Sequence, residues 1–184
     1  MFVEGYYIGS GAMNSVKLNQ DGVSSATEVE DVTVELHDAT TYALVDTATG
    51  TLNTDGSLSV TFNTAAAGSY YIAVNGSNLI QTWSAEPQAV GTTPLSYDFS
   101  IDATQAYGSN MREMEPGVFA FYSGDVNQDQ VVDNADLDPM YPDIDNSAFG
   151  VLATDINGDG VIDNSDLDNL YINLDNSVFA NYPQ

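Results

Sequence analysis

The stretch DVNQDQVVDNAD, Asp125–Asp136, returns thirty residues later as DINGDGVIDNSD, Asp155–Asp166, and this repeat decides how the last third of the chain is read. Each copy places oxygen-bearing side chains at positions 1, 3, 5, 9 and 12 of a twelve-residue run. That is the spacing of a calcium loop, in which alternate side chains of a tightly curled backbone converge on one hard cation. The ligand set of the first loop is Asp125, Asn127, Asp129, the Val131 carbonyl, Asp133 acting through water, and Asp136. The second offers Asp155, Asn157, Asp159, the Val161 carbonyl, Asp163 and Asp166. Two matches in one phase point to two Ca2+ sites rather than two solvated turns. Val132 and Ile162, at position 8, are expected to pair the loops back to back through a short β-bridge. Gln130 stands where the turn at position 6 favours the glycine that Gly160 supplies, so strain is expected there.

The repeat continues beyond the loops. Leu137, Asp138 and Tyr141 match Leu167, Asp168 and Tyr171, and Asp145–Phe149 matches Asp175–Phe179. The unit is therefore a loop, a short helix and an aromatic-ended tail. Pro139 is expected to shorten or shift the first helix, because proline removes a backbone donor. Position 12 is Asp rather than the longer Glu of an ordinary EF-hand, and GVFAFYSG before the first loop reads as a strand instead of an entering helix. These features resemble the dockerin family, in which two calcium loop–helix repeats pack face to face. The resemblance covers about the last sixty residues. It implies a cohesin-like receptor as partner, read through positions 10 and 11, here Asn134, Ala135, Asn164 and Ser165. These are not the small-hydroxyl pairs of the well-known cellulosomal members.

From Met1 to about Ser123 the apolar period is two. Asp31–His37 sets Val32, Val34 and Leu36 on one face and Thr33, Glu35 and His37 on the other. Further strands are expected at Phe2–Ile8, Tyr42–Asp46, Ser57–Asn63, Ser69–Asn75, Leu79–Ser84, Ser96–Ile101 and Val118–Tyr122. Turn chemistry at Asp21-Gly22, Thr49-Gly50, Asp55-Gly56, Ala67-Gly68 and Asn75-Gly76 separates them. The expected fold is mainly β: an antiparallel Ig-like sandwich over residues 1–123, then a small α, dockerin-like calcium module over residues 124–184. The run Val32–Val74 is similar to transthyretin- or carboxypeptidase-regulatory-like Ig-type sandwiches. The segments FVEGYYIGSGAM, IQTWSA, TQAYG and FYSGDVNQD together resemble the terminal region of large secreted bacterial surface proteins. That resemblance implies an extracellular location and a structural or adhesive role.

Composition narrows the partners. Two basic residues, Lys17 and Arg112, face 27 acidic ones, for a formal charge of −25. Nucleic acid and anionic membrane both require a cationic surface, so neither is an expected partner. The usual fate of so acidic a chain is disorder, but 43% hydrophobic and 10% aromatic residues in alternating strands argue for a core. There is no cysteine to staple it. No signal peptide or spanning helix is visible. Calcium loops suit an extracellular supply of the ion, and the expected location is secreted, at the cell surface.

Enzymatic chemistry finds little purchase. His37 is the only histidine, and it is expected as a plain surface residue, since a zinc site or a triad needs further partners. Glu28, Glu30 and Glu35 do not read as a carboxylate pair flanking a cleft. Trp83 and the tyrosine pairs Tyr6-Tyr7 and Tyr70-Tyr71 read as core on one side and surface on the other. The expected partners are copies of the chain itself or other surface proteins. One route to them is addition of the apolar N-terminal strand through Phe2, Val3, Tyr6 and Ile8, weighed against that strand pairing within its own sandwich. The flexible-looking stretch GSGAMNS follows it. Thr47, in Asp46-Thr47-Ala48, and Asn75, in Asn75-Gly76-Ser77, match glycosylation acceptors.

Overall fold

The computed structural model describes residues 1–184. It is mainly β, with few helices. The longest strand, β4 (Glu28–Asp38), pairs antiparallel with β5 (Leu44–Asn53) on one side and β6 (Gly68–Asn75) on the other. Beyond β6 lie β7 (Thr82–Trp83) and β8 (Gln88–Val90). A second sheet has the order β1 (Phe2–Val3), β10 (Val118–Phe121), β9 (Arg112–Glu115). A small ribbon joins β2 (Tyr7–Gly9) to β3 (Ala12–Met13). The two sheets enclose the main core: Val32, Val34, Leu52 and Val74 from one, and Phe2, Val3, Ala120 and Phe121 from the other.

Several expectations need correction. The sandwich is not wholly antiparallel, because β1 runs parallel to β10, with Phe2 opposite Ala120 and Val3 opposite Phe121. The expected Phe2–Ile8 strand is broken at Gly5, where an added Cβ would lie 2.1 Å from the Ile156 carbonyl oxygen. Thr49-Gly50 is no turn; it lies inside β5, opposite Thr33 and Val32. Ser57–Asn63 and Ser96–Ile101 join no sheet. The stretch GSGAMNS is ordered, and it leads into a helix, α1 (Val16–Asp21), that ends on Gly22 at φ 71°. No helix is long and apolar enough to cross a membrane.

His37 is not a surface residue. It is 9% exposed, its ring centroid lies 4.1 Å from that of Trp83, and its Nε2 is 2.9 Å from Glu35 Oε2. The outer face of the large sheet is covered because Tyr71, Ala73 and Trp83 form a second cluster, against which Tyr42 and Tyr107 pack; Tyr182 stacks on Trp83. Trp83, Tyr6, Tyr70 and Tyr71 are all buried and Tyr7 is half-buried, so the expected surface side is missing at Tyr70-Tyr71.

After β10 come two loop–helix units ending in α2 (Leu137–Asp145) and α3 (Leu167–Asp175). Both helices have nine residues, so Pro139 neither shortens nor shifts the first. It sits in the opening turn, where a backbone N–H has no intrahelical acceptor to lose. Val132, Leu137, Met140, Ile156, Leu167, Leu170 and Val178 form a separate core, completed by Ile80 from the sandwich.

Candidate metal centres

Each twelve-residue run is curled by its own side chains. In the first, the Asp129 N–H donates to Asn127 Oδ1 at 2.8 Å and the Val131 N–H to Asp129 Oδ1 at 3.1 Å. The second repeats both bonds with Asp159, Asn157 and Val161. Such Asx turns tighten the backbone every second residue. The curl requires left-handed residues at positions 4 and 6 alike: Gln128 (φ 62°) and Gln130 (φ 72°), then Gly158 (73°) and Gly160 (88°). Only position 6 was legible beforehand.

The first and last aspartates of each run are both buried and both accept from backbone N–H groups of their own loop. Asp125 accepts from the backbone N–H of Asp129 and Gln130, while Asp136 accepts from Val126, Asn127 and Asp133. Asp155 accepts from Asp159 and Gly160, and Asp166 from Asn157 and Asp163. All four aspartates are 0% exposed, and none forms an ion pair. Burial pushes the carboxyls of Asp125 and Asp166 up to about 6 and raises those of Asp136 and Asp155; neighbouring loop carboxylates add to the effect in each case.

The remaining predicted ligands lie at the rim. Asp129, Asp159, Asp133 and Asp163 are exposed. Asp133 caps the turn ahead of α2 by accepting from the Ala135 N–H, and Asp163 does the same with Ser165. Asn127 and Asn157 donate to Asp129 and Asp159. No three His, Cys, Asp or Glu side chains cluster as a ligand set.

The expected bridge between the loops is absent. Val132 and Ile162 are buried, at 1% each. But Val131 bridges to Phe179 and Val161 to Phe149, so each loop pairs with the other repeat's aromatic-ended tail. Val132 N–H donates to the Val178 carbonyl and Ile162 N–H to that of Ala148. The duplication thus closes crosswise.

Both loops are docked on the sandwich. Gln128 Nε2 donates to the Ser77 carbonyl, and Gln130 Oε1 accepts from the Gln81 N–H. The second loop receives side chains from α1 and the residues before it: Asn14 to the Asn157 carbonyl, Asn19 to that of Gly158, and Gln20 to Asp155 Oδ2 at 2.9 Å. The flexible-looking stretch GSGAMNS hides α1 in the sequence; Ser15 followed by VKLNQD and a stop at Gly22 is the available signal.

The remaining predicted sites fall as follows. Phe2, Val3 and Tyr6 are buried in the chain's own fold, with exposures of 8%, 0% and 1%; Ile8 is exposed. The terminal strand pairs at home. Asn134, Ala135, Asn164 and Ser165 are exposed just ahead of α2 and α3. Farther along those helices the Tyr141 and Tyr171 hydroxyls lie 3.3 Å apart. Thr47 is exposed on β5, whereas Asn75 is half-buried at the end of β6.

No protein-family model matches the chain, and no curated protein matches it. Among solved structures, the chain is similar to a chain in the crystal structure of a type II cohesin–X–dockerin complex from Acetivibrio cellulolyticus carrying an N-terminal interface mutation. Identity there is 15%, with 87% of this chain and 92% of that chain covered and a TM-score of 0.47. A second such complex, mutated at its C-terminal interface, gives 16% identity, 88% and 93% coverage and a TM-score of 0.46. A likeness this slight carries no assignment of fold or partner.

Proposed function

We propose that this chain is a non-enzymatic, extracellular structural or adhesive protein, a subunit or terminal module of a cell-surface or filamentous assembly. In this reading an Ig-like sandwich is followed by a dockerin-like module that takes up two calcium ions. One observation carries it: four fully buried aspartates, Asp125 and Asp136 in the first loop and Asp155 and Asp166 in the second, form no ion pair with any cationic side chain. Buried carboxylates left without a counter-charge are costly. Calcium would supply that charge. Asp125, Asn127, Asp129, Val131, Asp133 and Asp136 would hold one ion, and Asp155, Asn157, Asp159, Val161, Asp163 and Asp166 the other.

The physical role of the metal follows from size. A core of eight buried residues is small, and metal binding is folding free energy for such a unit. Because both loops dock on the sandwich, ordering them also fixes the two parts of the chain together. Calorimetric titration with calcium, combined with limited proteolysis in calcium and in EGTA, tests this. Two bound equivalents and protection of residues 124–184 are expected. No binding, or equal resistance in both buffers, overturns it.

A docking module for a cohesin-like receptor is the second reading, favoured by the exposure of Asn134, Ala135, Asn164 and Ser165. Replacing these four would abolish capture by such a receptor and leave self-assembly, followed by light scattering, unchanged.

A further inference from the structure

The sandwich is incomplete on one side. The inner face of the large sheet, at Val34, Leu36, Ile72 and Val74, forms the floor of a cavity of about 590 Å3. Its walls come from Leu58–Phe62 and from Thr92–Phe99. The first of these lies over β5, where a Cβ added to Gly50 would meet Leu58, Ser59 and Val60 at 2.8 Å. Both segments carry the apolar alternation of a strand, yet neither belongs to a sheet. Within the chain, no backbone N–H or C=O of residues 58–62 or 92–97 has a hydrogen-bond partner.

Two walls of unpaired backbone beside an apolar floor define the chemistry of what fits between them. A lipid or other small apolar molecule would cover the floor and leave the peptide groups unmatched. An extended polypeptide satisfies both: its backbone bonds to the walls, and alternate side chains enter the cavity. No side chain lining the cavity is charged. The residues at its edge are acidic: Asp55 next to Gly56, Asp98 between Tyr97 and Phe99, and Asp46, which accepts from the Thr64 and Ala65 N–H groups. A second copy of this chain has no segment to match that edge, because Lys17 and Arg112 are its only basic residues; whatever self-assembly the chain undergoes uses another surface.

We propose that the gap between Leu58–Phe62 and Thr92–Phe99 accepts an extended strand from a different polypeptide, uncharged and alternately apolar in the middle and basic at its ends. The slot is built from residues 1–99 alone, so it stands whether or not the two loops bind metal.

The test uses the full chain in calcium buffer. The probe is a fluorescent, lysine-capped peptide of alternating valine and threonine, compared with the same peptide N-methylated at its valines and with a glutamate-capped version. Saturable binding is expected for the first, with a loss of about tenfold or more for each of the others. Leu95→Glu places a charge at a partly exposed wall position, and an equal loss is expected with the fold, checked by circular dichroism, unchanged. Amide hydrogen exchange gives an independent readout: residues 58–62 and 92–97 exchange fast in the free chain and slow down with peptide. Slow exchange in the free chain, binding indifferent to N-methylation, or uptake of palmitate in place of the peptide would each overturn the proposal. Peptide-sensitive dimerisation of the chain alone would overturn the choice of a foreign partner.

Discussion

In the first loop the side chains reach outward. Gln128 and Gln130, both left-handed, extend their amides to Ser77 and Gln81 of the sandwich. In the second loop the same two positions are Gly158 and Gly160, and the sandwich reaches in. A Cβ on Gly160 would sit 2.3 Å from the Asn19 carbonyl oxygen, and one on Gly158 would sit 2.5 Å from Val16 and 2.9 Å from Tyr6. The ligand positions are the same; what differs is the side from which the contact is made. Glycine in the second loop makes room for α1 as much as it relieves the backbone. Gln130 pays some left-handed strain for an anchor, since Gln81 in turn bonds to Glu35, which holds His37.

If the loops are independent metal sites, Asp125→Ala and Asp155→Ala should each remove one calorimetric equivalent and spare the other. The expected loss of affinity at the altered loop is on the order of a hundredfold or more, beyond what supporting residues usually contribute. Loss of both equivalents from either change would mean that the loops fold as one site, and would erase the distinction between them.

Next in size is the glycine asymmetry. Gly160→Ala forces Asn19 away and should cost about 2–3 kcal/mol in urea unfolding monitored in calcium, as overpacking against backbone usually does. Gln130→Ala removes one hydrogen bond and should cost about 1 kcal/mol. Equal losses would show that the docking of α1 is not what Gly160 serves.

The sequence disclosed the ligand positions because they are local: a one-in-two spacing of oxygen side chains needs no knowledge of neighbours. Strand alternation was equally plain in β4, whose two faces both meet partners. What stayed hidden depends on long-range contacts. Pro139 is harmless because of where the helix begins, and the left-handed positions 4 were masked by Gln128. The crosswise closure of Val131 on Phe179 and Val161 on Phe149 follows from how the repeats pack, which spacing does not encode. Ser57–Asn63 and Ser96–Ile101 do alternate as read, but alternation reports a buried face and says nothing of whether a hydrogen-bonded neighbour exists.

A smaller effect separates the loops at one bond. Gln20 donates to Asp155, and no side chain of the sandwich touches Asp125 in this way. Gln20→Ala should therefore weaken calcium at the second loop by about tenfold, as loss of a supporting hydrogen bond does, and leave the first unchanged. Titration of Gln20→Ala in the Asp125→Ala background isolates the second loop; an unchanged affinity there would mean that α1 holds the loop only by shape.

The smallest effect concerns the seam on which both units rest. Glu4 is 3% exposed, and its Oε2 accepts from Asn173 Nδ2 at 2.6 Å and from the Ser123 N–H at 3.4 Å, with Arg112 Nε 3.5 Å from Oε1. Burial raises its carboxyl above the ordinary 4.5, against the pull of Asn173, Ser123 and Arg112. A carboxyl raised in the folded chain takes up its proton more readily than in the unfolded one. Its contribution to stability is thus complete below the ordinary value and is lost as pH rises through the folded value. Glu4→Gln, which does not titrate, should flatten that decline. Urea unfolding of both proteins from pH 4 upward in saturating calcium, taken as a difference, cancels the loop aspartates common to the two. Parallel curves would mean that Arg112 and Asn173 fully offset the burial of Glu4; a wild-type curve that falls relative to Glu4→Gln as pH rises would mark the seam as the place where the sandwich and the repeats resist ionisation together.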